Sequence, residues 1–495
     1  MSTLILIYIY QKWSLKMVKI PVAVAHGDGI GPEIMDVALT ILKAAGCELE
    51  FHPVEIGEKV YHKGIATGIE PATWETIRRC KAFLKAPITT PQGGGFKSLN
   101  VATRTSLGLY ANIRPCISYD PYIASKHPKM DLVIIRENEE DLYVGIEYRH
   151  SADCQYAMKM ISHPGSEKII RFAFEYAKAN QRKKVTCFTK DNILKLTDGL
   201  FHKIFDEVAL EYPDIENEHW IVDIGAAKLA DTPEAFDVIV MPNLYGDILS
   251  DVGAQISGSV GLVGTANIGE FGAMFEAIHG SAPRRAGKDL ANPSAMIKAS
   301  ILMLEYLDLR ESASLIDNAW LKTIEDGIHT YDIFTEGMSK KKVGTAEFGK
   351  AVIERLGKKP TALKEAVIHK RFAPPIVPPF REKLIVRECV GVDLYLYAKA
   401  TAQEMEKKLF QTDWGKFELR LISNRGATTY PNGQKETYGV DTWRVRFKMK
   451  EKDERFQLEH TIAILKLCKE HKYDVVKLDH LYNFDGSAGY SSANF

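Results

Sequence analysis

Ser98, Asn100 and Arg104 lie in the run Gly93-Gly94-Gly95-Phe96-Lys97-Ser98-Leu99-Asn100-Val101-Ala102-Thr103-Arg104, and Arg114 and Arg136 follow. Guanidinium forks pair bidentately with carboxylates, and hydrogen bonds to charged partners are roughly twice as strong as neutral ones. Three arginines behind a triple glycine therefore suit a small molecule carrying several carboxylates, and the hydroxyl and amide beside them would read its shape. Asp247 and Asp251 are four residues apart, a spacing that stacks both on one face of a helix. Their oxygens suit Mg²⁺ or Mn²⁺; a solvated helix start, where the dipole favours acidic residues, has the same spacing.

Thr189-Lys190-Asp191-Asn192 follows the apolar run 185–188, which puts a lysine at the carboxyl end of a strand, where open α/β sheets build their sites. Beside a metal ion it would serve as a base; alone it is a surface lysine. Gly27-Asp28-Gly29-Ile30-Gly31-Pro32-Glu33 reads equally as a nucleotide turn without the full glycine spacing and as a tight turn at a sheet edge, with Pro32 opening a helix. His279-Gly280-Ser281-Ala282-Pro283-Arg284-Arg285-Ala286-Gly287 is a second small-residue loop. Its paired guanidinia suit a phosphate dianion, or are simply exposed charge.

The elements that position these residues alternate from Ile20 to about Leu356. Short β-branched runs (20–25, 132–135, 237–241) are interleaved with amphipathic stretches such as 33–45 and a helix starting at Asp247. Alternation of this kind predicts an α/β architecture around a largely buried sheet. Four prolines between Phe372 and Phe380 make a stiff connector. Beyond it, strands at 392–397, 417–422, 443–449 and 475–478 and helices at 401–410 and 457–471 follow the order βαββαβ of a ferredoxin-like unit. Thr401 and Glu404 form a capping box there. The expected organisation is a disordered or non-native lead (1–16), a core (17–360), a linker (361–382) and a carboxyl-terminal α+β domain (383–495).

A chain of 495 residues is long enough for two or three cores at about 150 residues each. Lys+Arg and Asp+Glu both number 64, so there is no global electrostatic case for a nucleic-acid or anionic-membrane partner. The apolar run 4–10 is too short to span a bilayer and has no basic region before it; a short edge strand is the other reading of the lead. Seven scattered cysteines without a C-x-x-C pair point to reduced thiols and a cytoplasmic location. Ferredoxin-like folds also serve as ligand-sensing or RNA-binding modules, but the tail lacks an evident aromatic pair for RNA, and Trp443 and Phe447 fit one face of a sheet.

Five segments, 26–33, 98–114, 136–143, 243–251 and 279–292, occur in an order that resembles the isocitrate and isopropylmalate dehydrogenase family, over roughly residues 18–356. The resemblance implies that family's own fold, with a large domain (about 17–115 and 265–360), a small domain (about 116–264) and an active cleft between them. It implies oxidative decarboxylation of isocitrate to 2-oxoglutarate and carbon dioxide, with a metal ion. Ser98 and Asn100 stand where isocitrate enzymes receive the extra carboxylate and isopropylmalate enzymes are apolar; Arg104, Arg114 and Arg136 would clamp the others. Asp247 and Asp251 would hold Mg²⁺ or Mn²⁺ together with Asp223 of a second subunit, hence a homodimer with shared sites, and Tyr143 and Lys190 would serve the acid/base steps. Thr89, His279, Gly280, Ser281, Ala282, Pro283, Arg284, Arg285, Asn292 and Tyr331 would contact the cofactor. The two arginines favour NADP, although Thr335 stands where the common NADP pattern has arginine and Lys340, Lys341 and Lys342 are the alternative source of charge. The other enzymatic reading is an NAD-dependent isopropylmalate or homoisocitrate dehydrogenase. A phosphate on Ser98 would repel and block a substrate carboxylate. The tail resembles the carboxyl-terminal extension of bacterial isocitrate dehydrogenases at residues 422–426 and 485–486, and is expected to support subunit contacts.

Overall fold

The computed structural model describes residues 19–89, 98–367, 385–433, 438–451 and 454–491. The lead, the stretch from Gly93 to Lys97 and the proline cluster lie outside them. Two compact units emerge, one built from 19–143, 161–192 and 198–367, the other from 144–160, 193–197 and 385–491. No described helix is long and apolar enough to cross a membrane.

The first unit is α/β, as the alternation predicts. Its ten strands are β1 (Ile20–Ala25), β2 (Leu49–Pro53), β3 (Ala82–Lys85), β4 (Ala111–Ile117), β5 (Asp131–Glu137), β6 (Lys184–Thr189), β7 (Glu216–Ile221), β8 (Val238–Met241), β9 (Gly264–Ile268) and β10 (Ala273–Ala277). They form one sheet in the order β2-β1-β3-β10-β9-β4-β5-β8-β6-β7. The two outer wings are parallel, whereas the pairs β10-β9, β9-β4 and β4-β5 are antiparallel. Most strands are buried on both faces, which is why they read as continuous apolar runs. The helices that carry the site are α1 (Gly31–Ala44), α2 (Leu99–Ser106), α3 (Val222–Asp231) and α4 (Asn243–Ile256).

The turn from β1 into α1 is a structural tie. Gly29 has φ +60°, and a Cβ there would stand 2.0 Å from the Ser281 carbonyl oxygen. Only glycine lets the two loops meet this closely. Between the glycines, buried Asp28 accepts hydrogen bonds from the backbone amides of Thr89 (2.9 Å) and Glu58 (3.2 Å).

The second unit has the predicted βαββαβ path through β11 (Arg387–Tyr397), α5 (Ala402–Gln411), β12 (Phe417–Asn424), β14 (Thr442–Met449), α6 (Leu458–Glu470) and β15 (Asp474–Phe484), and the Thr401 capping box is present. Two short strands, β13 (Ala427–Tyr430) and β16 (Ser487–Ala488), extend the antiparallel sheet to β13-β12-β14-β11-β15-β16. The sequence reading missed β13 because Pro431, which cannot continue a ladder, dominates that stretch. Strands β11 and β15 also run longer than predicted. Val392, Leu394, Leu396, Trp443, Val445 and Phe447 pack with Met405, Leu409 and Ile464, so Trp443 and Phe447 do share the helix-covered face, as expected. On the other face the hairpin Glu147–Arg149 and Gln155–Ala157 is seated through Tyr156 on Tyr395 and Ser151 on Asp441.

Candidate active site

Strand register gathers polar side chains at the middle of the large sheet. Lys85 at the end of β3 is paired with Glu276 in β10, and Glu276 with Thr265 in β9. Two residues along, Asn267 in β9 is paired with Asn112 in β4, and Asn112 with Arg136 in β5. Arg114 lies two residues beyond Asn112 and therefore on the same face.

Helix α4 covers this face. It begins at Asn243, four residues before the predicted start, so Asp247 lies in its second turn and a dipole-favoured amino terminus does not account for it. Asn243, Asp247, Ser250 and Asp251 share one side of α4. Asn243 Oδ1 accepts from Arg136 Nε at 3.0 Å and Nη2 at 2.7 Å. Asp247 pairs with Arg136 and, at 3.3 Å, with Arg114. Arg114 also donates to Ser250 Oγ at 2.6 Å and lies 3.7 Å from Asp251. The helix comes this close because residue 246 is glycine: a Cβ there would lie 2.5 Å from Arg136 Cγ. Tyr143 donates to Asp247 Oδ2 at 2.5 Å, with the Arg136 guanidinium 4.8 Å from its ring centre.

With Ser98 and Asn100 from the start of α2 and Arg104 from its last turn, Arg114, Arg136, Tyr143 and Asp247 line a cavity of about 210 Å³. Ser98 occupies the cap position of α2 without using its side chain as a cap. Asn100 Oδ1 and Arg104 Nε are buried with no hydrogen-bond partner among the described residues, the condition a bound polar ligand would relieve. Four cations, Lys85, Arg104, Arg114 and Arg136, face two carboxylates, Asp247 and Glu276. Burial, with repulsion from Arg114 and Arg104, pushes Arg136 down to about 9 against the pull of Asp247. Burial would raise Glu276, but Lys85 at 2.7 Å and Arg104 at 3.1 Å hold it far below the usual carboxylate range. The cavity thus has unspent positive charge.

Asp247 also lies below its usual value, because Arg136, Arg114 and the Tyr143 hydroxyl overcome the effect of burial; Asp251 is raised by burial, which Arg114 only partly offsets. Two carboxylates one helical turn apart, with the Asp251 side chain 64% exposed, fit a hard divalent cation that keeps other positions for ligand and water. Lys190 and Asp223 do not line this cavity; they pair with each other at 3.0 Å, with the Asp223 side chain exposed. Elsewhere Asp191, His202 and His219 come together, but the two imidazoles stack at 3.5 Å with planes 18° apart, so their lone pairs do not converge on one ion.

A groove of about 460 Å³ shares His279 and Gly280 with the cavity and is further lined by Ala282, Arg285, Asn292, Tyr331 and Asp332. Arg285 stacks over Tyr331, 4.9 Å from its ring centre, and donates to its hydroxyl. Asp332 accepts from Ser259 at 2.7 Å and from Asn292 at 3.0 Å. Thr89 and Ser281 share a hydrogen bond of 2.7 Å that fastens the two loops; they, Pro283 and Arg284 do not line the groove, nor do Thr335 and Lys340–342.

The profile described as isocitrate/isopropylmalate dehydrogenase matches residues 21–352. The chain belongs to this family. Residues 387–494 match the bacterial isocitrate dehydrogenase carboxyl-terminal domain. A Rickettsia felis protein named isocitrate dehydrogenase (NADP) is 51% identical over 96% of this chain and 98% of its own length, and one of the same name from Thermus thermophilus is 40% identical over 95% of each. A crystal structure of a Thermus thermophilus protein superposes with a TM-score of 0.90 at 39% identity, covering 96% of both chains. The expected family and fold are therefore borne out. Within this isocitrate/isopropylmalate dehydrogenase fold, the sequence reading missed Lys85, Glu276, Asn112, Asn267, Asn243 and Asp332. The available signal was a lone charge near the carboxyl end of an otherwise apolar strand, as in Ala-Phe-Leu-Lys (82–85) and Ala-Met-Phe-Glu-Ala (273–277).

Proposed function

We propose that the cavity binds isocitrate and the adjoining groove NADP, and that the chain oxidises and decarboxylates isocitrate to 2-oxoglutarate and carbon dioxide. The chain is a metal-dependent, NADP-using isocitrate dehydrogenase, in keeping with the names of its full-length relatives. The observation that carries this reading is the convergence of Ser98, Asn100, Arg104, Arg114 and Arg136 on one small cavity that also holds Tyr143 and Asp247.

Arg104, Arg114 and Arg136 pair with substrate carboxylates, and Ser98 and Asn100 receive the third, which an apolar pair would reject. Asp247 and Asp251 hold Mg²⁺ or Mn²⁺, which when bound polarises the substrate hydroxyl and the carbonyl formed from it. Burial pushes the Tyr143 phenol up, and its bond to Asp247 adds to the rise while Arg136 opposes it. Tyr143 is thus protonated at neutral pH and is the proton donor to the carbon that loses carbon dioxide. His279 and Gly280, common to cavity and groove, set the junction across which hydride passes. Arg285, held on Tyr331, receives the 2′-phosphate of NADP.

The working unit is a homodimer. Lys190 and Asp223 stand outside their own chain's cavity, and a second subunit supplies them to it. Ile224 on α3 and Ile248 on α4 are 49% and 55% exposed, the apolar surface such an interface would bury. All seven cysteines are free thiols, which suits the cytoplasm.

The test follows reduction of NADP and of NAD by isocitrate with Mn²⁺, with and without chelator, and with isopropylmalate and homoisocitrate in parallel. Rapid, chelator-sensitive reduction of NADP with isocitrate alone is the expected result; turnover of isopropylmalate instead would overturn the substrate assignment. Mixing inactive Tyr143→Phe and Lys190→Met chains should restore activity through sites that draw one intact residue from each chain, and no restoration would count against shared sites.

A further inference from the structure

We infer that Asn267 is a positioning residue for recognition of the substrate carboxylates: it locks the cationic wall of the cavity without lining the cavity itself. The inference rests on the functional reading above. Asn267 is fully buried in β9 and uses its whole amide. Its Oδ1 accepts from Asn112 Nδ2 at 3.0 Å and Asn138 Nδ2 at 3.1 Å; its Nδ2 donates to Glu276 Oε1 at 2.9 Å and the Met274 carbonyl at 3.3 Å.

The chemistry at the two ends of this chain of bonds fixes its direction. Arg114 can only donate, and its Nε donates to Asn112 Oδ1, so Asn112 must turn its NH₂ toward Asn267. Asn267 must then present oxygen to Asn112 and NH₂ to the other side, where ionised Glu276 can only accept. Glu276 in turn is held by Lys85 and Arg104, which again can only donate. Donor and acceptor therefore alternate without conflict from Arg114 to Arg104 and Lys85. Asn138, which also donates to the Leu109 carbonyl at 2.7 Å, ties in the segment that carries Arg136 and Tyr143. No other polar side chain of Asn length satisfies both ends: aspartate would set a second carboxylate against Glu276, and alanine would leave Asn112 Nδ2 and Glu276 Oε1 each one partner short.

Steady-state kinetics and calorimetric isocitrate binding on wild type and Asn267→Ala test this. The variant should raise KM and Kd for isocitrate about 10- to 100-fold, as expected for a lost hydrogen bond to a charged group, while KM for NADP stays within about twofold. Asn267→Asp should be worse. Ser300→Ala, which loses a buried bond within its own helix and does not line the cavity, should lower Tm without moving KM. Equal loss in both KM values, or unchanged isocitrate affinity, would overturn the inference. Should Asn267→Ala fail to fold, Asn112→Ala breaks the same chain one link away, and an unchanged isocitrate KM there overturns it as well. In the double variant the two effects should be less than additive, and full additivity would show two independent roles. The wild-type arm tests the functional reading by itself, so failure of that reading and failure of the network are seen separately.

Discussion

Two clusters of buried charge in this chain look alike in composition and differ in completion. In the second unit Asp393 on β11 is flanked by Arg444 and Arg446 on β14. Arg446 donates to both its oxygens, at 2.7 and 2.9 Å, and Arg444 to one, at 2.7 Å. Arg446 also donates from Nη1 and from Nη2 to the Ser491 carbonyl, each at 3.1 Å. Around the cavity of the first unit, by contrast, the lining holds four cations and two carboxylates, Arg104 Nε and Asn100 Oδ1 have no partner among the described residues, and Arg136 is pushed down by burial and by its arginine neighbours. A saturated cluster holds a sheet together, whereas an unsaturated one around a void is waiting for an anion.

Removing the central carboxylate of each cluster is the strongest way to break that comparison. Asp247→Asn removes the carboxylate proposed to hold the metal and leaves Tyr143 only a neutral acceptor; with several kcal/mol of charge stabilisation gone, kcat/KM should fall about 10⁴-fold, while the thermal midpoint falls only modestly because Asn243 and Ser250 still accept from Arg136 and Arg114. Manganese titration should show weakened binding in the same variant, and activity within tenfold of wild type would remove Asp247 from the site. Asp393→Ala should do the reverse. Leaving Arg446 buried without its partner should cost about 3 to 5 kcal/mol of stability, read by denaturant or thermal unfolding, with kcat/KM per folded molecule little changed.

A smaller effect separates Arg285 from Arg284. Only Arg285 lines the groove and is braced on Tyr331, so Arg285→Ala should raise KM for NADP about 10- to 100-fold and leave KM for NAD unchanged, while Arg284→Ala should do neither. Equal losses in the two variants would restore the adjacent pair as the unit that reads the phosphate.

The contrast also marks what could be read before any coordinates. Of the residues that line the cavity and the groove, Ser98, Asn100, Arg104, Asp247, His279, Gly280, Ala282 and Arg285 were legible because they lie in distinctive runs and several are of types costly to bury. The residues that hold them were not. Glu276 and Lys85 lie 191 positions apart and meet only because β10 pairs with β3, and Asn267 gains its meaning from strands β4 and β10 on either side. Register between distant strands is a property of the whole sheet, so local periodicity found the strands but not their order. In the second unit the path βαββαβ was legible from alternation and a capping box. The short strands β13 and β16 were not, since two to four residues carry too little pattern.

Glu137 sharpens the comparison most finely, because it is a buried carboxylate of a third kind. It has no cation at ion-pair distance among the described residues and accepts only the backbone amides of Glu139, at 2.7 Å, and Glu140, at 3.1 Å, at the bend leading to Tyr143. Burial pushes it up to about 8, the amides opposing and Glu140 adding to the rise. In the unfolded chain it titrates near the ordinary glutamate value, about 4.3. Below that value both states carry the proton, and the full stability is present. Between about 4.3 and 8 the folded state keeps a proton that the unfolded state has released, so stability must fall as pH rises through this window, by up to about 1.4 kcal/mol per pH unit. Glu276 has the opposite sign: held ionised by Lys85 and Arg104, it contributes stability that is lost only as pH falls below the ordinary carboxylate range. Glu137→Gln keeps an oxygen for the two amides and stays neutral at every pH. Its unfolding midpoint should match wild type below about pH 4 and exceed it increasingly toward pH 8, and a difference that does not grow with pH would mean that Glu137 is ionised in the folded chain and compensated by a group outside this set.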